Sequence, residues 1–435
     1  MFSKILIANR GEIAVRIIRA CKEMGIRTVA VYSEADRQAL HVALADESYC
    51  IGAAEAGESY LRQDRIVSTA LISGAQAIHP GYGFLSENPH FAALCQKNGI
   101  AFIGPTAETM EEISDKAVIK KKMADAGLSV IPGTEALPTL EDARKSAKQI
   151  GYPVMLKACA GGGGRGIRLV RSEQELENAY TQAVAEGQAA FGAGSVYMEK
   201  YVFPARHVEV QVMADEFGNV VCLGERDCSL QRGHQKLIEE SPSPNVREDA
   251  RRELMEKVTS AVKTIGYVGM GTLEFLMDDS GSFWFMEMNI RLQVEHTVTE
   301  MLTGIDMVKW QIRIAAGIAL TVQQEDVNLS GASMECRIVA LAPGKLKTLH
   351  VPGGPFVRFD TYLVTGTKIS PYYDPLIGKL IVSAKTREEA LRKMRAALCE
   401  LVIEGIPTNI EEQLRFIEDA RFMAGNYDLS FVGGR

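Results

Sequence analysis

The sequence has no C-x-x-C pair. Its eight cysteines, Cys21, Cys50, Cys95, Cys159, Cys222, Cys228, Cys336 and Cys399, are scattered, so neither a zinc ribbon nor a thioredoxin-type redox motif can be built from them. At such spacing they read as small buried thiols of a reducing compartment. Long hydrophobic runs are missing too: no stretch approaches the roughly 18 apolar residues that span a bilayer. The N-terminal run breaks at Asn9-Arg10 without a signal-peptide cleavage pattern, and the cytoplasm is the expected location. There is no basic excess, because 48 Lys and Arg stand against 55 Asp and Glu, for a net charge of −7. A general binder of nucleic acid or of membrane surfaces needs a basic face, so both are excluded as expectations. Repeats and low-complexity segments are also absent. With 39 glycines and 15 prolines, the composition is not that of a disordered chain.

What is present is a chain of 435 residues, 46% hydrophobic, enough for two or three domains at roughly 150 residues each. Lys4–Ala8 is a short apolar run that predicts a buried strand, and Glu12–Met24 a helix with apolar positions Ile13, Ile17, Ala20 and Met24, stopped at Gly25. Further strands are expected at 28–32, 77–78 and 101–103. Strands alternating with helices predict a parallel sheet that binds ligands near the strands' C-terminal ends. A helix capped at Ser114-Asp115 should run to Ala126. Beyond it, strands at 153–158, 166–170, 196–200, 207–213, 219–224, 271–277 and 283–289 suggest antiparallel sheet, with a helix over 173–188. Residues 321–332 read as a linker to a new β-rich unit, which closes with helices over 386–402 and 409–423.

Three stretches carry chemistry. Gly161–Gly166 formally fits G-x-G-x-x-G, but Ile167–Val170 reads as a strand where a dinucleotide fold needs a helix. No Gly-Lys-Ser/Thr follows to make a P-loop. What remains, with Lys157 just upstream, is a glycine hairpin tip whose N–H groups can close over phosphates. Thr272–Met277 and Phe283–Asn289 flank the turn Asp278-Asp-Ser-Gly281 as a hairpin. Strand alternation then puts Glu287, Asn289 and Glu274 on one face, an oxygen-donor set suited to Mg²⁺ or Mn²⁺. Just downstream, Arg291 can grip a small oxyanion and Glu295 can act as a base. Upstream, Gln231–Lys236 adds polar and cationic groups on a Gly-bearing loop. Together they describe a site for ATP, a divalent metal and a small anion.

At this point the chain resembles the biotin carboxylase family. The similarity runs end to end through Ala8–Ile13, His79–Asn88, the glycine hairpin, Glu199–Tyr201, Glu287–Asn289 with Arg291–His296, and Met334–Ile338. The resemblance implies a mixed α/β and α+β architecture. Residues 1–113 would form a Rossmann-like parallel-sheet domain, 114–325 an ATP-grasp domain with a mobile lid at about 130–204, and 330–435 a β-rich C-terminal domain. It implies that Lys116, Lys157, Gly163, Gly164, Glu199, Lys200, Tyr201, Val202, His207 and His234 hold ATP. Glu274, Glu287 and Asn289 would hold Mg²⁺ or Mn²⁺. Lys236, Arg291, Gln293 and the Val294 backbone would position bicarbonate. Glu295 would deprotonate bicarbonate to form carboxyphosphate, and Arg337 would stabilise the biotin enolate. The family forms homodimers, and the helix bearing Arg19 and Glu23 is a candidate contact; charges four apart also read as a pair within the helix.

Three departures stand out against that family. Ile338 runs straight into Val339–Gly344, several residues shorter than the usual segment, which puts the biotin side more in question than the ATP side. Gly233 stands where a basic residue is common, and Ile167 replaces a common Met. No Ala/Val-Met-Lys-Met biotin-attachment sequence occurs, and no carboxyltransferase-sized region is left over. The expected partners are therefore a separate biotin carboxyl carrier protein and carboxyltransferase subunits, as in acetyl-CoA carboxylase serving fatty acid synthesis. The alternatives are part of a pyruvate- or propionyl-CoA-type carboxylase, another ATP-grasp ligase, and a non-catalytic carrier-binding subunit.

Overall fold

The structure, a computed structural model, describes residues 1–159, 167–191 and 194–433. Its N-terminal part is a five-stranded parallel sheet of β1 (Lys4–Ile7), β2 (Arg27–Ser33), β3 (Glu47–Gly52), β4 (Ala77–His79) and β5 (Ala101–Phe102), in the order β3-β2-β1-β4-β5. Ile5, Leu6 and Ile7 are fully buried, as expected of a strand covered on both faces. Helix α1 (Gly11–Glu23) follows β1 directly. At the strands' C-terminal ends two sequence motifs meet: Asn9 Nδ2 donates to the Pro80 and Tyr82 carbonyls (2.6 and 2.8 Å). Gly81 makes this approach possible, with φ of +64° and a Cβ that would lie 2.9 Å from Asn9 Nδ2. Glu23 pairs with Lys309 (2.5 Å) rather than with Arg19, which is exposed.

Ser114 ends one helix (Ala107–Ser114), and Asp115 alone caps the next, α2 (Lys116–Asp125), accepting from the Val118 N–H at 3.1 Å. A small antiparallel sheet follows, from β6 (Val154–Ala158), β7 (Ile167–Val170) and β8 (Val196–Lys200), with β6 in the centre. It carries helix α3 (Glu173–Phe191) and its own core of Leu156, Val170, Leu176, Val196 and Met198. The pairing of Lys157 with Ile167 makes the expected hairpin. The glycine tip itself, with Gly163 and Gly164, lies outside the described residues.

The rest of the chain is organised by one eight-stranded sheet. Its strands are β9 (Ala205–Ala214), β10 (Val220–Arg232), β11 (Gln235–Ser241), β12 (Gly269–Asp278), β13 (Phe283–Asn289), β14 (Ala332–Val339), β15 (Val357–Thr361) and β16 (Leu376–Ala384). They run in the order β13-β12-β9-β10-β11-β14-β16-β15. The sheet therefore does not stop at the expected linker: β14 pairs antiparallel with β11, and the last hundred residues extend it. Residues 321–332 are tied down as well, because the Gln324 amide both accepts from and donates to the Cys222 backbone (2.8 and 2.9 Å). Helix α4 (His296–Thr303) packs across β10, β11, β14 and β16. Neither β11 nor α4 was expected from the sequence, since Gln-Lys-Leu-Ile-Glu-Glu-Ser has too many charges for a buried strand. Among the described residues no helix is long and apolar enough to cross a membrane.

Candidate active site

Alternation along β9 places His207, Glu209 and Gln211 on one face, and antiparallel pairing fixes what stands beside them. In register, Arg226 on β10 faces Glu209, Glu209 faces Glu274 on β12, and Glu274 faces Glu287 on β13. Three neighbouring carboxylates on one sheet face repel each other unless cations intervene. The chain supplies several. Arg226, fully buried, donates to Glu209 (2.6 Å) and Gln211 (2.8 Å). Lys236 reaches Glu209 and Glu295 (2.6 Å each) and Glu274 (3.2 Å). His207 Nε2 lies 3.1 Å from Glu274.

The row opens onto a cavity of about 1780 Å³ between the two antiparallel sheets and the N-terminal part. Lys157, Glu199, Lys200, Tyr201, Val202, His207, His234, Lys236, Glu274, Glu287, Asn289, Arg291, Gln293, Val294, Glu295 and Arg337 all line it. Of the remaining expected residues, Gly163, Gly164 and the Lys116 side chain lie outside the described residues. Glu295, 1% exposed, sits between Lys236 and Arg337 (2.6 and 2.8 Å). Arg291 is held by Glu87 (2.8 Å), Gln293 (2.9 Å) and Asn289 (3.2 Å). Gln293 and Asn289 in turn donate to Glu274 (3.2 and 2.9 Å).

These contacts set the charges. Burial works to raise the Glu295 carboxyl, but Lys236, Arg337 and Arg226 outweigh it and hold the group well below the usual carboxylate range. Glu274 is lowered in the same way, against its burial, by Lys236 and His207. Burial would lower Lys236, yet Glu209, Glu274 and Glu295 raise it well above its ordinary value. The floor of the cavity is thus a fixed array of ions, ready for an anion that replaces one of its carboxylates as a partner.

Two expected ligands are differently engaged. The Lys200 ammonium donates to the Gly151 and Tyr152 carbonyls (2.7 and 3.4 Å) at the end of the helix Leu140–Ile150, so it reaches the cavity by its backbone and stem. His234 is exposed in the two-residue turn joining β10 to β11, with φ of +67°. Its neighbour Gly233 has φ of +54°, and two successive positive φ angles are the geometry of a type I′ hairpin, which glycine meets without strain. On the opposite wall, Glu199 takes Lys157 (2.5 Å) and also Lys120. The sequence reading missed Lys120, Glu87, Glu209 and Arg226. The polar residue at every second place of His-Val-Glu-Val-Gln-Val was the available signal for Glu209.

The oxygen donors of Glu274, Glu287 and Asn289 suit a hard divalent cation, and the like charge of the facing glutamates gives that cation a reason to bind. His207, Glu209 and Glu274 also bring ligand atoms within 4.8 Å of one another, but Lys236 already neutralises that corner.

The chain is similar to known proteins along nearly all of its length. The biotin carboxylase N-terminal domain matches residues 1–110, the carbamoyl-phosphate synthase L chain ATP-binding domain 115–323, and the biotin carboxylase C-terminal domain 335–433. Biotin carboxylase of Nostoc sp. is 52% identical, over 99% of this chain and 98% of its own. Biotin carboxylase of Campylobacter jejuni, solved as a β-γ-ATP complex, superposes with a TM-score of 0.98 at 50% identity, covering 100% of this chain and 99% of its own. The biotin carboxylase domain dimer of Hydrogenobacter thermophilus 2-oxoglutarate carboxylase, solved with MgADP, ADP and bicarbonate, gives 0.96 at 49% identity, covering 100% and 98%. With family-model matches along nearly all of its length and half of its residues shared with such relatives, the chain belongs to the biotin carboxylase family of ATP-grasp ligases.

Proposed function

We propose that the chain uses ATP and bicarbonate to carboxylate biotin borne on a separate carrier protein. The observation that carries this reading is Glu295, a buried carboxylate clamped between Lys236 and Arg337 with Arg291 on the cavity floor. Clamped in this way it is a weak base. Bicarbonate arriving at Lys236, Arg291, Gln293 and the Val294 backbone takes over part of that cationic field and frees Glu295 to accept its proton. Deprotonated bicarbonate attacks the γ-phosphate, giving carboxyphosphate and ADP. Carboxyphosphate breaks down to CO2 and phosphate, the phosphate removes the biotin ureido proton, Arg337 balances the resulting anion, and the anion's nitrogen attacks CO2 to give N-carboxybiotin.

Glu274, Glu287 and Asn289 would hold Mg²⁺, or Mn²⁺ in its place, which neutralises phosphate charge when bound. Lys116, Lys157, the Gly163-Gly164 tip, Glu199, Tyr201, Val202, His207 and His234 are assigned to the nucleotide, with Lys157 leaving Glu199 for the phosphates. In this reading residues 1–113, 114–325 and 330–435 are the working domains. The protein works as a homodimer in the cytoplasm, with carboxyltransferase subunits completing acetyl-CoA carboxylation. A 2-oxoglutarate-type acceptor is the second reading, favoured by the Hydrogenobacter relative at 49% identity. Phosphate release with and without bicarbonate and free biotin tests the proposal. Release that needs bicarbonate and rises with biotin is expected, and release indifferent to both overturns it. Adding carrier and carboxyltransferase with acetyl-CoA or 2-oxoglutarate then separates the acceptors.

A further inference from the structure

Beneath Arg337 lies a second polar layer that the reaction as described does not use. On the antiparallel strands β11 and β14, Glu239 stands directly opposite Glu335, and both are fully buried. Opposed residues of such a pair share a sheet face, with Cβ atoms ~5 Å apart. Arg337, two residues beyond Glu335, projects from that same face. Its guanidinium holds Glu239 Oε1 (2.6 Å from Nε) while reaching Glu295 (2.8 Å). Glu335 Oε2 accepts from Thr297 on α4. Two carboxylate oxygens, Glu239 Oε2 and Glu335 Oε1, are then left without a hydrogen-bond partner among the described residues.

The surroundings do not supply enough positive charge for two anions. Around the pair stand Arg337 from β14, Lys379 from β16, Glu295 from the turn before α4 and the Cys228 thiol, while Cys336, next in sequence to Glu335, points into the apolar core on the sheet's other face. Arg337 already serves Glu295, and Lys379, itself fully buried, serves Glu12 (3.2 Å) and the Val294 carbonyl (2.8 Å). Burial pushes both carboxyls above the usual range, and Glu335 raises Glu239 further. One proton between the two orphaned oxygens satisfies both and removes the excess charge.

We propose that Glu239 and Glu335 form one monoanionic unit, with a single proton held between them, that fixes Arg337 for its work on the biotin anion. Both are positioning residues, and the proposal rests on the function proposed above. Loss of the shared proton at alkaline pH sets a second negative charge beside Arg337. The guanidinium is then drawn away from Glu295 and the biotin-dependent rate falls, in steps that belong to the pair rather than to either residue.

Infrared difference spectra across a pH titration read the carbonyl stretch of a protonated carboxyl. Wild type is expected to show a band at neutral pH that either Glu335→Gln or Glu239→Gln removes, so one folded variant suffices. In kinetics, Glu335→Gln, whose amide supplies the missing hydrogen, should keep the neutral-pH rate within about threefold and lose the alkaline fall. Glu335→Ala should lose roughly tenfold or more of the biotin-dependent rate, while bicarbonate-dependent ATP hydrolysis without biotin changes by less than about threefold. A carbonyl band unchanged in the variants, an alkaline fall that persists in Glu335→Gln, or an unaffected Glu335→Ala each overturns the proposal. Wild-type protein that hydrolyses no ATP with bicarbonate defeats the proposed function instead. The infrared band needs no turnover and tells the two failures apart.

Discussion

The small sheet β7-β6-β8 and the eight-stranded sheet both bring residues to the cavity, and they hold them by opposite means. The small sheet has a core of its own, and its cavity-facing Lys157, 23% exposed, pairs with Glu199. On the large sheet, Arg226 and Glu209, with Glu295 from the turn before α4, are almost wholly buried and tied into a network in which Lys236 alone contacts three carboxylates. Under the proposed function, groups that grip and release a nucleotide sit on the small sheet, where Lys157 keeps part of its exposure. Groups that must hold one geometry through the chemistry sit where each is fixed by several others.

The sharpest way to break this comparison is Glu295→Ala. Bicarbonate-dependent ATP hydrolysis should fall by roughly 10²–10⁴-fold while ATP binding, followed by calorimetry, persists. Wild-type turnover would remove Glu295 from the chemistry. Next comes Lys236→Met, which takes the shared cation from Glu209, Glu274 and Glu295. Urea unfolding should show a loss of about 3–5 kcal/mol, and an unchanged midpoint would mean that the large-sheet network is not locked. A third test uses pH. Glu274 and Glu295, held below their ordinary 4.5, favour the folded state fully above that pH and lose this effect as pH falls below it towards their folded values. The stability difference between wild type and Glu295→Gln should therefore be flat from pH 7 to about 5 and shrink below. A difference that shrinks on raising the pH would reverse the sign of the argument. The smallest effect on stability belongs to Lys157→Met on the small sheet. It should lower unfolding free energy less than Lys236→Met does, because Glu199 keeps Lys120 as a partner, yet raise the KM for ATP about tenfold. A large stability loss there would erase the contrast between the sheets.

How much of this was legible in the sequence follows the range of the contacts. The facing of Glu274 and Glu287 could be read because one turn, Asp278–Gly281, and the two-residue period of a strand decide it. The strands of the parallel sheet could be read from apolar runs. By contrast, β11 was invisible: Lys236, Glu239 and Glu240 make it look solvent-facing, and only their partners Glu295, Arg337 and Arg387 explain its burial. The expected end of the sheet at 321–332 failed for a related reason. A polar stretch looks like a break until Gln324 is seen pairing with the Cys222 backbone.

By itself, then, the sequence determined the family, the local strand and helix elements, and the oxygen-donor face of one hairpin. These depend on composition, on short-range periodicity and on motifs read as continuous strings. Only the tertiary structure decided which charges share a site. Glu87 meets Arg291 across 204 residues, Arg337 meets Glu239 across 98, and Lys379 meets Val294 across 85. A buried ion is tolerable only with its counter-ion beside it, and that neighbour comes from strand register and long-range packing, which no local pattern encodes.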